Sequence, residues 1–316
     1  MVSFSGKDVP KRGLRDSFLL RWTQWPRRVW RFAHPSDVVE GPALAPDRCR
    51  EAAESGEPLI RVEHLYKSLE DVPVLEDISL DIRPGEHLSI IGATGCGKTV
   101  LTKHFNGLLL PDSGTVRVCG VNVAEAGEEE LYEVRRKIGY VFQGNALFAS
   151  LSVYRNVSLP LRKAPDDLPA RNEAQIQERV AEVLQDVGLV AEYFDRLPSE
   201  LSGGQRKRVA VARAIVDRPP VIIYDEPTTG LDPEWTQTII DLMDRLHHQG
   251  HNTTVAITHE TKLMERLGRV VFLRDRRVYY DGPYSAFTGS DDPVIRTFLA
   301  EGPPLRNRLA EYVRVG

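Results

Sequence analysis

Between a short apolar run, Glu86–Ile91, and a helical pattern beginning near Lys98 lies the sequence Gly92-Ala-Thr-Gly-Cys-Gly-Lys98-Thr99. It constrains the fold more than any other stretch, because a strand passing through a glycine-rich turn into a helix is one unit of a parallel α/β sheet. The glycines let successive backbone N–H groups curl around a phosphate chain, and the start of the helix adds its positive dipole end. Gly92, Ala93, Thr94, Gly95, Cys96, Gly97, Lys98, Thr99 and Val100 are therefore candidate nucleotide-binding residues. Lys98 is placed to reach the β- and γ-phosphates of a nucleoside triphosphate, and the Thr99 hydroxyl to bind Mg²⁺.

The pattern around this unit supports the same class. Residues 58–290 alternate short β-branched runs with helical periodicity, as a parallel sheet wrapped by helices does. Arg171–Gly188 places Ile176, Val180, Val183, Leu184 and Val187 on one helical face, with Gly188 as its stop. Val221–Tyr224 and Thr253–Thr258 read as buried strands whose ends lie where such sheets bind ligands. Residues 1–57 form an extension that holds three of the four tryptophans and ends in a Pro-, Ala- and Glu-rich linker. Residues 291–316 read as a short helix, Val294 to Leu299, a Gly-Pro-Pro break and a basic tail. No internal repeat is present, so the chain carries one nucleotide-binding unit.

Composition narrows the setting. No apolar run approaches the ~20 residues needed to cross a bilayer, so any spanning is expected of another chain. Cys49, Cys96 and Cys119 are too few and too scattered for a disulfide framework or a zinc site, which suits a reducing cytosol. The first residues lack the apolar core and cleavage site of a secretory signal. Net charge is −4, with a local +6 over residues 1–35 and so a weakly acidic remainder, which argues against nucleic acid as the main ligand.

Two further segments carry chemistry. Val221-Ile-Ile-Tyr-Asp225-Glu226 is a buried strand ending in adjacent carboxylates. The first is a candidate Mg²⁺ ligand, mostly through water, and the second a general base for an attacking water. Leu201-Ser202-Gly203-Gly204-Gln205 opens a helix that runs through Arg213, at a chance frequency of about one in a million per position. Ser202 caps that helix, and Gly203 and Gly204 allow close approach to an anion. A second phosphate-seeking helix end is redundant for one nucleotide, so it suits the nucleotide of another copy.

With these motifs in order the chain resembles the ABC (ATP-binding cassette) ATPases, over roughly residues 58–290. Leu201–Gln205 looks like their signature motif, which implies two ATP molecules sandwiched between two copies, with Ser202, Gly203, Gly204 and Gln205 facing the partner's ATP. Gln143, after Ile138–Phe142, resembles the Q-loop glutamine, a Mg²⁺ ligand that senses a membrane partner. Gly230-Leu231-Asp232 is similar to the D-loop, which crosses the dimer interface, and His259 to the switch histidine that contacts the γ-phosphate. The catalytic set implied is Glu226, His259, Lys98 and Gln143, the metal set Thr99, Gln143 and Asp225, and the cofactors ATP and Mg²⁺. The fold implied is an α/β P-loop NTPase of the ABC type: a RecA-like mixed-sheet core, an antiparallel β subdomain and a helical subdomain over about 145–218. One position departs from the family: the ring that usually stacks on adenine falls at Leu69. Tyr66 either substitutes for it or is ordinary packing. Cys96 is either a tolerated small side chain or a thiol made reactive by Lys98 and the helix end.

Less common segments resemble the Mla/Mce group, which energises bacterial lipid and sterol trafficking. These are Glu130-Leu-Tyr-Glu-Val-Arg-Arg-Lys-Ile-Gly139, Phe142-Gln143-Gly-Asn-Ala-Leu-Phe148, Leu151-Ser-Val-Tyr-Arg-Asn-Val157, Leu159-Pro-Leu161 and Ser290–Leu299. Gln205 departs from that group, which often has Met there. The resemblance implies a homodimer on the cytoplasmic face of the inner membrane, held by an integral membrane permease and working with an MCE-domain lipid-binding protein. An ABC importer for a polar solute is the alternative. Ala146, Leu147, Phe148 and Leu151 are either the groove for the permease or core of the helical subdomain. Arg21-Trp22, Trp25 and the run from Arg27 to Phe32 mix cations with aromatics, as membrane-interface segments do, or else pack on the cassette or lack order. About 100 residues without sustained heptads separate the glycine loop from Leu201, which argues against the chromosome-structure ATPases.

Overall fold

A computed structural model describes residues 48–162, 172–250 and 252–301, so the tryptophan-rich extension and the basic tail lie outside the described residues. Two sheets form the frame. The smaller is antiparallel, in the order β2-β1-β4-β5, from β1 (Ile60–Leu69), β2 (Val72–Ile82), β4 (Ser113–Val118) and β5 (Val121–Asn122). The larger runs β10-β9-β3-β8-β7-β6, from β3 (His87–Gly92), β6 (Ile138–Val141), β7 (Val221–Asp225), β8 (Thr253–Ile257), β9 (Arg269–Arg274) and β10 (Arg277–Pro283). Five of these strands are parallel and only the edge strand β10 runs against its neighbour. The expected fold class therefore holds: mixed-sheet core, antiparallel β sheet and a separate run of helices.

The central strands read as unbroken apolar runs because both faces are covered. Every residue of β6, β7 and β8 is buried. Parallel pairing in register brings the C-terminal ends of β3, β7 and β8 to one edge: Ile90 lies opposite Ile257, and Asp225 opposite Ile257 from the other side. That edge is where the chemistry-bearing loops emerge.

The helices that matter to this edge are α2 (Lys98–Phe105), which follows β3, and α4 (Val153–Arg162), α5 (Glu173–Asp186) and α6 (Gly203–Ile215) of the helical part. In chain order α1 is Arg48–Ser55 and α3 is Glu128–Arg136. After α6 come α7 (Pro233–Gly250), α8 (Thr261–Leu267), α9 (Tyr284–Thr288) and α10 (Pro293–Glu301). The face predicted for α5 is the buried one, from Ile176 at 3% exposure to Val187 at 1%. Each such aliphatic side chain contributes about 1.5–3 kcal/mol by leaving water. Asn172 starts α5 through a reciprocal cap with Gln175, and Gly188 at φ +70° turns the chain away.

Two sequence expectations fail at the N-terminal side. A helix, α1, stands where the linker closing the 1–57 extension was expected, with Cys49 and Ala52 buried in the core. Cys49 is joined by a disulfide to Cys119, 70 residues away, at the turn between β4 and β5. The cysteine count therefore carries no argument for a reducing compartment. Sequence spacing gave no signal because the pairing is created by α1 folding back onto the sheet.

Candidate nucleotide site

The loop between β3 and α2 has its glycines where the backbone needs them. Gly97 sits at φ +103°, and a Cβ there would stand 2.7 Å from Leu75 Cδ2. Gly92, at φ +147°, would drive a Cβ to 2.4 Å from the Leu273 carbonyl oxygen. Gly95, at φ +83°, faces open space. No side chain caps the start of α2, so its first amides are left for a ligand. Lys98 Nζ donates to the carbonyl oxygens of Gly92 and Ala93 at 2.9 Å each, which folds the ammonium over the loop.

Cys96 lies inside this loop, its Sγ 4.0 Å from Lys98 Nζ. Burial pushes the thiol up and outweighs the nearby Lys98 ammonium. Of the two readings of Cys96, the tolerated small side chain is therefore the one that stands. It is a small, half-buried side chain packed under Gly92.

Thr99 Oγ1 donates to Asp225 Oδ2 at 3.0 Å, with Oδ1 at 3.3 Å. Asp225 is 2% exposed, and burial pushes its carboxyl up against the hydrogen bond from Thr99. A buried carboxyl and a hydroxyl, with a second carboxylate next in sequence, form the oxygen-only donor set that suits Mg²⁺. These residues fit that ion, which would neutralise phosphate charge when bound.

Beyond Asp225 the chain turns sharply. Glu226 takes φ +52°, with its amide on the Ile257 carbonyl at 3.0 Å. Gln143 Nε2 donates to Glu226 Oε2 at 2.7 Å. Thr99, Gln143, Asp225 and Glu226 thus form one connected group at the strand ends. His259 follows β8 at the same edge and is exposed.

Ser202 caps α6: its hydroxyl accepts from the Gln205 amide at 3.2 Å, and the Gln205 side chain accepts from the Ser202 amide at 2.8 Å. Gln205 is thereby committed to the cap, while Gly203 faces open space. Among the described residues no hydrogen bond joins this turn to the glycine loop. Asp232 caps α7 through the Trp235 amide at 2.9 Å, and a Cβ on Gly204 would meet Leu231 at 3.4 Å. Tyr66 and Leu69 are each 39% exposed on β1, whose partner strand carries Leu75 against Gly97. Phe148 is 56% exposed, and Leu147 and Leu151 are half-buried. The segment bearing them is held by Arg213, which donates to the Asn145 and Ala146 carbonyls, and by the buried Asn156.

Two buried cations on α6, Lys207 and Arg208, were not singled out from sequence. Lys207 Nζ donates to the carbonyls of Glu226 at 2.7 Å and Thr229 at 2.9 Å. The available signal was basic residues on the apolar face of the Ser202 helix, ahead of Val209 and Val211.

Comparison with known proteins agrees with this geometry. Residues 75–229 match the family model described as ABC transporter. The chain is 39% identical over 245 residues to a methionine import ATP-binding protein, MetN 1, of Rhodopseudomonas palustris, covering 76% of this chain and 64% of that protein. It is 36% identical over 241 residues to a probable ribonucleotide transport ATP-binding protein of Mycobacterium leprae, covering 76% and 68%. Among solved structures it resembles the dimeric, ADP- and Pi-bound post-hydrolysis state of the cassette MJ0796. The TM-score is 0.67 at 30% identity, over 71% of this chain and 98% of that one. The cbiO1 structure from Clostridium perfringens gives 0.64 at 30% identity, over 82% and 99%.

Proposed function

This chain belongs to the ABC transporter ATP-binding family, and from that premise we propose that it hydrolyses ATP to drive a membrane permease. The observation that carries the reading is the connected group Thr99, Asp225, Glu226 and Gln143 beside the glycine loop. Lys98, Thr99 and the loop amides take the phosphate chain. Glu226 accepts the proton of the attacking water, and His259 stands at the same edge to contact the terminal phosphate. The exposed Ser202–Gly204 turn takes the ATP of a second copy, so each site draws on two chains, as in a cassette dimer.

No described helix is long and apolar enough to cross a membrane. Attachment to the cytoplasmic face would therefore come from the permease, seated on Phe148 and its neighbours. Lipid trafficking with an MCE-domain partner finds no support among the relatives described above. Those of known name import methionine or are assigned to ribonucleotide transport, which favours import of a small polar solute. We adopt that reading.

The test is purification of the tagged full-length chain from detergent-solubilised membranes of its own host, followed by ATPase assays on the recovered complex. A permease whose ATPase is stimulated by a solute-binding protein loaded with a polar amino acid supports the reading. Stimulation by phospholipid, with an MCE-domain protein recovered, would return the assignment to lipid. A chain recovered without any membrane protein would overturn coupling to transport.

A further inference from the structure

A general base works only if its carboxylate is held at one point, yet the backbone of Glu226 takes a conformation that L-residues resist, at φ +52°. Something must hold it there. On one side its amide is tied to Ile257 of β8. On the other, Lys207 Nζ donates to its carbonyl at 2.7 Å and to the carbonyl of Thr229 at 2.9 Å. Lys207 is 4% exposed. A lysine is retained in such a place when fixed acceptors satisfy its ammonium, and two of its three donors are used here.

The lysine also has a telling position in the chain. It lies on α6, five residues after Ser202, on the helix whose first turn presents Ser202, Gly203 and Gly204. Its second acceptor, Thr229, immediately precedes Gly230-Leu231-Asp232, and Leu231 stands beside Gly204. One ammonium thus joins three things: the helix that would face the partner's nucleotide, the turn that carries Glu226, and the segment leading to Asp232.

We propose that Lys207 is a positioning residue for hydrolysis, bridging the Glu226 and Thr229 carbonyls so that the carboxylate-bearing turn moves as one piece with α6. Seating of the Ser202–Gly204 turn on the second copy's ATP is thereby transmitted to Glu226 of the same chain, which links the two composite sites. The inference rests on Glu226 acting as the base.

The experiment compares K207M, K207R and E226Q, and the pair K207M with E226Q, in the full-length chain. It measures steady-state Mg-ATPase, binding of a fluorescent ATP analogue and thermal melting. Methionine keeps the stem and removes the donors. K207M is expected to lower kcat roughly 10²-fold, the scale of a misplaced catalytic group, with KM and analogue affinity unchanged. K207R, which keeps donors at the site, should recover most of that loss. The double variant should be no slower than E226Q alone, because a residue acting through Glu226 has nothing left to position. If K207M does not fold, K207Q, whose shorter uncharged side chain cannot bridge both carbonyls, takes its place under the same criteria. A kcat at the unaltered level in K207M, beside an inactive E226Q, overturns this inference alone. A loss that multiplies that of E226Q, or that appears in KM, also overturns it. Full turnover in E226Q would instead remove Glu226 as the base.

Discussion

The side-chain amide of Gln143 donates to Glu226 Oε2 at 2.7 Å, tying the loop after β6 to the carboxylate after β7. The strands behind them are parallel neighbours, with Val141 opposite Tyr224, so the two residues leave the sheet side by side. A hydrogen bond to a charged group is worth about 1.5–3 kcal/mol. Gln143→Ala removes it without touching the glycine loop. Turnover is expected to fall about 10- to 100-fold with ATP affinity retained, measured by steady-state ATPase beside nucleotide titration. A parallel loss of affinity would place Gln143 in binding and not in orientation.

Thr99 and Asp225 make a second pair whose chemistry separates metal from nucleotide. Thr99→Val keeps the shape and deletes the hydroxyl that donates to the buried Asp225 carboxylate. The Mg²⁺ concentration giving half-maximal ATPase should rise by roughly 10-fold or more. ATP binding measured without metal should change little, because Lys98 and the loop amides remain. An unchanged Mg²⁺ requirement would remove Thr99 from the metal set.

The glycine loop, the Asp225-Glu226 strand end and the Ser202 cap were legible in sequence because each is local: a strand, a turn and a helix start within a few residues. The face of α5 was legible for the same reason, since periodicity is a property of one segment. What stayed hidden depends on residues far apart in the chain meeting in space. Lys207 reaches Glu226 across 19 residues and a helix-to-strand crossing. Cys96 stayed open between two readings, because sequence shows the Lys98 charge nearby but not the burial that outweighs it. Cys49 and Cys119 meet only once α1 has folded against the small sheet.

That disulfide closes a loop of 70 residues and holds α1 to the β4–β5 turn. Cross-links of this kind stabilise by about 2–4 kcal/mol. Reduction of the purified chain, or Cys49→Ser, should lower the melting temperature by several degrees and release α1 to amide hydrogen exchange, with ATP binding intact. Mass spectrometry of peptides prepared without reductant gives the direct check. Free thiols at both positions in the native protein would refute the link.

His87 sets an acid limit on stability. Its ring centroid lies 3.2 Å from that of His247, and its Nε2 is buried without a hydrogen-bond partner. Burial, and then the neighbouring His247 and His248, push its pKa down to about 3. Asp244 and Arg266 line the same hollow. In the unfolded chain a histidine takes up its proton near pH ~6.5. Between about pH 3 and pH 6.5 the unfolded chain therefore binds a proton that the native one refuses, and stability falls as pH drops through that window. The contribution is fully present above the unfolded value and is exhausted below the native one. His87→Leu should flatten the acid limb of melting temperature against pH while leaving the neutral plateau nearly unchanged. Some slope will remain, because burial also lowers the pKa of His104, whose Nδ1 is paired with the Val100 carbonyl at 2.7 Å. An acid limb identical to that of the unaltered chain would mean that His87 is protonated in the folded state without penalty, with water or Asp244 reaching its ring.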